Sequence, residues 1–168
     1  MGKVKLKSLF SKRKIKLLIL GFGNSGKITI LKNLKISEIA MCCIQVGFFM
    51  ERVENKYFNI TSWVCILYYY VIDSTDQRSL DSISINITTI LSEVQLIGKP
   101  ILFFYNYQDA HDALSISEIS AQMKINDIKD RQWFTQPTTA IDNNSGVLEG
   151  FQWLSNILID ESNHDKNL

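Results

Sequence analysis

The sequence predicts an α/β fold with a mostly parallel central sheet, and three observations carry that expectation. Apolar runs of strand length alternate along the 168 residues with stretches whose apolar positions repeat at helical period. A glycine-rich turn, residues 21–29, lies between the first strand-like run and a helix-like one. A polar loop, residues 106–109, directly follows a later strand-like run. Loops at the carboxyl ends of strands in open α/β sheets are where ligands bind, so both loops fall where chemistry is expected.

Taken in order, residues 15–20 (Ile-Lys-Leu-Leu-Ile-Leu) read as the first strand and residues 27–34 as the helix after the glycine turn. A mixed polar and apolar connector runs on to Cys43. Residues 46–53 and 57–63 are β-like and joined by the polar turn Glu54-Asn55-Lys56, the pattern of a hairpin. Residues 64–73 are almost continuously apolar, as a strand buried on both faces requires. Leu80, Ile83, Ile87, Ile90, Leu91 and Val94 recur at helical spacing and predict an amphipathic helix over residues 79–95. Pro100 opens a strand over 101–105. A polar helix is expected over 115–123, a strand over 133–139 and a closing helix over 146–159.

Composition leaves room for one domain, since 46% of residues are hydrophobic and 21% charged, enough to build a core. The expected division is a basic amphipathic segment over 1–14, one folded domain over 15–160 that contains both loops, and a polar tail over 161–168. No stretch is apolar enough to span a bilayer, and the basic start does not fit a secretory signal, so a cytoplasmic location is expected. Cys42, Cys43 and Cys65 form no C-x-x-C pair and only His111 and His164 accompany them, which argues against a disulfide framework or a zinc site. The net charge of +1 conceals an asymmetry: Lys3, Lys5, Lys7, Lys12, Arg13, Lys14 and Lys16 precede every acidic residue of the chain. With Leu6, Leu9 and Phe10 at helical spacing, this leader fits either an anionic membrane surface or a solvated basic tail. Gly2 stands where N-myristoylation requires glycine, although Leu6 occupies the position of the usual hydroxyl residue.

Two motifs carry chemistry. Gly21-Phe22-Gly23-Asn24-Ser25-Gly26-Lys27-Ile28-Thr29 fits G-x-x-x-x-G-K, a turn whose backbone N–H groups and lysine cradle phosphates at a helix N-terminus. Ile28 stands where serine or threonine would offer oxygen to Mg²⁺, and Thr29 lies about 100° further round the helix. A magnesium ligand set is therefore in doubt, and no metal site is assigned. A plain strand-turn-helix without a ligand is the competing reading of this segment. Asn106-Tyr107-Gln108-Asp109 matches the N-K-x-D motif of guanine-nucleotide-binding proteins, with Tyr107 replacing lysine. An aspartate there accepts two hydrogen bonds from guanine that adenine cannot supply. Asparagine and aspartate also open ordinary loops, which is the alternative for this motif.

Together these segments resemble the Arf and Arf-like branch of the small GTPases. Residues 16–31 match the first strand and phosphate loop, and Val46-Gly47-Phe48 with Glu51 matches the segment after switch I. Val71-Ile72-Asp73-Ser74, Trp133 with Gln136, Thr139-Ala140-Ile141 and the run from Glu149 to Ser155 resemble later strands, the last base-contacting loop and the closing helix. The resemblance implies a small-GTPase-like three-layer sandwich that binds GTP or GDP. Phosphate would be held by Gly21, Gly23, Asn24, Ser25, Gly26, Lys27, Ile28, Thr29 and Gly47. The base would be held by Asn106, Gln108, Asp109, Thr139, Ala140 and Ile141. It further implies a Gly2-myristoylated leader on Golgi or other endomembranes, a role in vesicle traffic and Arf-type effectors or regulators. The chain is expected to be monomeric and nucleic acid is not an expected partner.

The sequence departs from the family where catalysis resides. The switch I threonine aligns with Gln45, and the D-x-G-G-Q segment is absent because Trp63 runs through Val64-Cys65 into the next strand. Without metal ligands or a residue to orient water, hydrolysis is expected to be weak or absent, and no catalytic residue is assigned. The gap also disturbs the sheet, since parallel neighbours need a crossover of about a dozen residues. Either residues 46–63 leave the sheet or residues 57–72 form one long strand. A missing exon would leave the same pattern. A nucleotide-free, Arf-shaped interaction module, a pseudo-GTPase, is the other functional reading. A P-loop kinase or ATPase leaves Asn106 and Asp109 unexplained.

Overall fold

The structure, a computed structural model, describes residues 16–34, 40–43, 66–139 and 146–164. The described strands are β1 (Lys16–Leu20), β2 (Ala40–Cys43), β3 (Ile66–Asp73), β4 (Ile101–Asn106) and β5 (Trp133–Pro137). The helices are α1 (Lys27–Leu34), α2 (Leu80–Leu91), α3 (Ile116–Gln122) and α4 (Val147–His164). Sheet order is β2-β1-β3-β4-β5, and every neighbouring pair is parallel. The expected α/β architecture with a mostly parallel sheet is thus present.

Period-two alternation divides the core into two layers. Tyr68, Tyr70 and Ile72 of β3, with Ile101, Phe103 and Tyr105 of β4, meet Leu80, Ile83, Ile87 and Ile90 of α2 and Ile119 of α3. On the other face Tyr69, Phe104 and Phe151 of α4 pack with ring centroids 5.2–5.5 Å apart. Gly150 lets α4 approach there: a Cβ would stand 2.5 Å from the Phe104 ring. Strands covered on both faces read as continuous apolar runs, which explains Ile-Leu-Tyr-Tyr-Tyr-Val-Ile in β3.

Buried tyrosines place the helices with directional bonds. Tyr70 donates to Asn86 Oδ1 of α2 at 3.1 Å, and the Tyr105 hydroxyl lies 2.9 Å from Ser120 Oγ of α3. Burial pushes the Tyr105 phenol from 10.0 to about 12, with the Ser120 bond opposing part of that rise. α3 itself is fixed at its start by a reciprocal capping box between Ser115 and Glu118.

Two departures from the sequence expectations have physical causes. The connector before Cys43 contains β2, which takes the free side of β1 through pairs from Lys16↔Ala40 to Ile19↔Cys43. Four residues are too few for the period-two signal to stand out. Among the described residues, the strand beyond β1 is therefore built from residues 40–43, and β3 pairs directly with β1 on its other side. Residues 44–65, including the predicted hairpin, lie outside the described residues; their number exceeds the minimum for the parallel crossover from β2 to β3. The helix expected over 79–95 is divided: α2 ends at Leu91, Glu93 is extended, and a separate 3-10 turn covers Val94–Leu96.

Arg131 accounts for that division. Its side chain is 1% exposed, and its guanidinium donates to the carbonyls of Leu91 and Leu96, both at 2.8 Å, to Tyr68 Oη at 2.7 Å and to Asp130. A buried fork of this kind holds the end of α2 and the following turn against the amino end of the sheet. Replacing Arg131 by alanine leaves those acceptors without a donor and is expected to destabilise the protein by about 3 kcal/mol in denaturant unfolding. Arg131→Lys should recover less than half of the loss, because an ammonium cannot reproduce the planar fork.

Candidate functional site

The loop after β1 folds around its lysine. Gly21 has φ +139°, and a Cβ there would lie 2.4 Å from the carbonyl oxygen of Val71 in β3. Gly26 has φ +91°, and a Cβ would lie 2.1 Å from Asn106 Nδ2. Both positions require glycine for backbone conformation and for space. Gly23 and Asn24 are exposed at the tip, Asn24 with φ +60°, and Ser25 is buried. The Ile30 N–H bonds to the Gly26 carbonyl at 3.0 Å, which opens α1. Lys27 is 6% exposed; its Nζ donates to the Phe22 carbonyl and to Ser25 Oγ at 3.3 Å. Strand, glycine turn, lysine and helix N-terminus thus stand in the arrangement that receives an anion.

Asn106, at the end of β4, joins this loop to its neighbours. It is fully buried, and its Nδ2 donates to the Ser25 carbonyl at 3.0 Å. Its Oδ1 accepts from Thr138 Oγ1 at 3.3 Å, and its carbonyl accepts the Ser74 N–H at 3.0 Å. One side chain and its backbone connect the loops after β1, β3, β4 and β5.

Tyr107 makes a second connection. It adopts φ +64°, uncommon for a non-glycine residue, and its hydroxyl donates to the Asn24 carbonyl at 3.0 Å. Burial, and then the nearby Asp73 carboxylate, raises its phenol above the ordinary value, so the donor proton is retained. Asp73 also accepts from the N–H and hydroxyl of Thr75, at 2.9 and 2.6 Å, in the turn after β3.

The remaining base-loop residues differ in what they offer a ligand. Gln108 turns inward, its Nε2 donating to Ser74 Oγ at 2.7 Å and to the Leu114 carbonyl at 3.0 Å. Its amide therefore braces the loop. Asp109 is exposed, with no hydrogen-bond partner among the described residues, and its carboxylate is available to a ligand. Thr139 is half-buried beyond β5. Ala140, Ile141, Gly47 and Gly2 lie outside the described residues. Gly146 has φ +81°, and a Cβ there would meet the Pro137 carbonyl at 2.0 Å, so the start of α4 lies against the end of β5.

The helix start after Lys27 carries an apolar side chain. Ile28 is 49% exposed at the first turn of α1 and carries no oxygen, while Thr29 is half-buried one position on. Three contributors were not anticipated from sequence. Thr138 carries no pattern that separates it from Thr139, Gly146 resembles any helix-start glycine, and the bond of Tyr107 to Asn24 spans |i−j| = 83.

A parallel α/β sheet, a lysine-bearing glycine loop ahead of α1 and an Asn-x-x-Asp loop after β4 define the small GTP-binding class of P-loop proteins. Within that class the chain belongs to the ADP-ribosylation factor (Arf) family, whose family model matches residues 3–66 and 64–158. The two matched pieces meet where the D-x-G-G-Q segment is missing. Similar relatives in Dictyostelium discoideum include ADP-ribosylation factor D, 32% identical over 92% of this chain and 79% of the relative. ADP-ribosylation factors J and K are 34% and 32% identical, each over 90% of this chain and 89% of the relative.

The Tyr107 bond yields a direct test. Tyr107→Phe keeps the ring and removes one neutral hydrogen bond worth about 1 kcal/mol, so nucleotide dissociation followed by fluorescence should accelerate about fivefold. An unchanged rate would show that the hydroxyl does not stabilise the loop.

Proposed function

We propose that this Arf-family protein binds guanine nucleotides selectively, without magnesium and without appreciable hydrolysis, and acts peripherally at membranes in vesicle traffic. The observation that carries this reading is the bond from Asn106 Nδ2 to the Ser25 carbonyl, which ties the base loop bearing Asp109 to the phosphate loop bearing Lys27. Backbone amides of residues 21–27 and the Lys27 ammonium would hold the phosphates, and Asp109 would accept from the two guanine donors. Ala140 would offer a backbone N–H to the base, by family resemblance.

Hydrolysis has little support in this chain. Ile28 cannot ligate a metal, Gln45 replaces the switch I threonine, and the D-x-G-G-Q segment with its water-orienting glutamine occurs nowhere in the sequence. The membrane role rests on Gly2 and the basic residues that follow it. Golgi or endomembrane location and Arf-type effectors or regulators follow only from the family.

A second reading is favoured by one observation. Lys27 Nζ is satisfied within the loop by the Phe22 carbonyl and Ser25 Oγ, so the loop has a closed form that needs no phosphate. A nucleotide-free interaction module would use that form. Chromatography of whatever small molecule is released by denaturing freshly purified protein separates the two: GDP or GTP supports the first, an empty protein the second.

Titration should show GDP and GTP preferred over ADP and ATP, and Asp109→Ala should remove about a hundredfold of that preference by leaving two guanine donors unpaired. Equal affinities for the two bases in the unmodified protein would end the guanine assignment. Nucleotide dissociation should be nearly the same with EDTA as with magnesium, and bound GTP should turn over at background rate in a single-turnover assay. A large acceleration by EDTA would show that other oxygens hold the metal.

A further inference from the structure

The turn between α2 and β4 offers two large apolar side chains to solvent on a rigid support. Val94 is 82% exposed and Ile97 is 59% exposed, while Leu96 between them is buried at 7%. Isolated exposed apolar residues are ordinary on protein surfaces. Here two flank one anchored turn, and the anchor is the buried Arg131 guanidinium, which donates to the carbonyls of Leu91 and Leu96 on either side of Val94. The Lys99 N–H bonds to the Leu96 carbonyl at 3.1 Å, and the Lys99 carbonyl accepts from Tyr68 Oη at 3.1 Å, which closes the other end. The turn therefore presents Val94 and Ile97 with little freedom to fold them inward.

The position of this turn identifies its partner. In the parallel register Leu18 of β1, Tyr68 of β3, Ile101 of β4 and Trp133 of β5 lie in one row, so the start of β1 at Lys16 and the turn leading into Ile101 are at the same end of the sheet. The chain that precedes β1, with six basic side chains and no acidic one, joins the domain at this end. The phosphate and base loops are at the opposite, carboxyl end. The turn itself has one acid, Glu93, and one exposed base, Lys99, so its contribution is apolar and the charge comes from the leader.

We propose that Val94 and Ile97 enter the interfacial layer of an anionic bilayer beside the leader, so that the amino end of the sheet faces lipid and the nucleotide loops face the cytosol. The inference rests on the proposed membrane role of the leader and adds a second contact that the leader does not supply. Long-range attraction from the basic residues brings the domain to the surface, and burial of two aliphatic side chains orients it there.

Cosedimentation of the full chain with phosphatidylserine vesicles tests this with two variants. Val94→Ser with Ile97→Ser should weaken binding about tenfold while preserving its salt dependence. Lys12→Glu, Arg13→Glu and Lys14→Glu together should abolish the salt dependence. Nitroxide-labelled acyl chains should broaden the methyl resonances of Val94 and Ile97 but not those of Ile85, which is 70% exposed on α2 and serves as the control. Loss of binding in the leader variant with undiminished binding in the turn variant would leave the membrane role standing and overturn this inference, assigning the turn to a protein partner. Broadening of Ile85 equal to that of Val94 and Ile97 would also overturn it. Failure of the unmodified chain to bind vesicles would remove both.

Discussion

The buried carboxamide of Asn106 is the constraint on which the site depends. Its amide group faces the phosphate loop and its oxygen faces Thr138, while its backbone carbonyl holds Ser74. A fully buried amide left without these partners would cost about 1–3 kcal/mol, so the loops are held in mutual register by the same bonds that satisfy the side chain. Gly26 belongs to the same constraint, because any larger residue would occupy the space of Asn106 Nδ2. The sheet supplies the platform: β4 is buried along its whole length, and the residue that ends it cannot drift.

This arrangement keeps the fastening of the loops apart from the features that a nucleotide switch adds. Holding the loops together needs neutral hydrogen bonds and small residues, all of which are present. A switch adds a metal and a segment that senses the outer phosphate; at the position after Lys27 this chain has Ile28, and its sequence passes from Trp63 to β3 through two residues. Tyr107 fits the same division. Its hydroxyl contributes a neutral bond to Asn24 where lysine would bring a positive charge, so the loop is fastened without adding to the field that attracts phosphate.

Much of the fold was legible because its strands are strongly apolar and its helices periodic. β3, β4 and α3 were expected within two residues of where they lie, and the phosphate and base loops occupy the predicted strand ends. β2 was not legible, since Ala-Met-Cys-Cys is short, unalternating and stabilised by pairing with β1. The end of α2 was overestimated because Val94 continues the apolar spacing; only Arg131, distant in sequence, reveals that the carbonyls of Leu91 and Leu96 are bonded elsewhere. Likewise Gln108 matches a base-loop position by motif, while its inward bonds to Ser74 and Leu114 depend on a neighbouring strand end that sequence spacing does not locate.

The parallel order of the sheet has a consequence for the newborn chain. β1 is the first of the described strands to leave the ribosome, yet it lies between β2 and β3, and its pairing with β3 is complete only when the β3 residues have been made. None of the described strands pairs with an antiparallel neighbour across a tight turn, so each addition must close a long loop before any pairing energy is gained. The highly apolar β3 emerges before α2, which later shields one of its faces. Synthesis therefore passes through a stage at which a strongly apolar strand is complete before the helix that covers one of its faces, an exposure that a domain built from local hairpins would shorten.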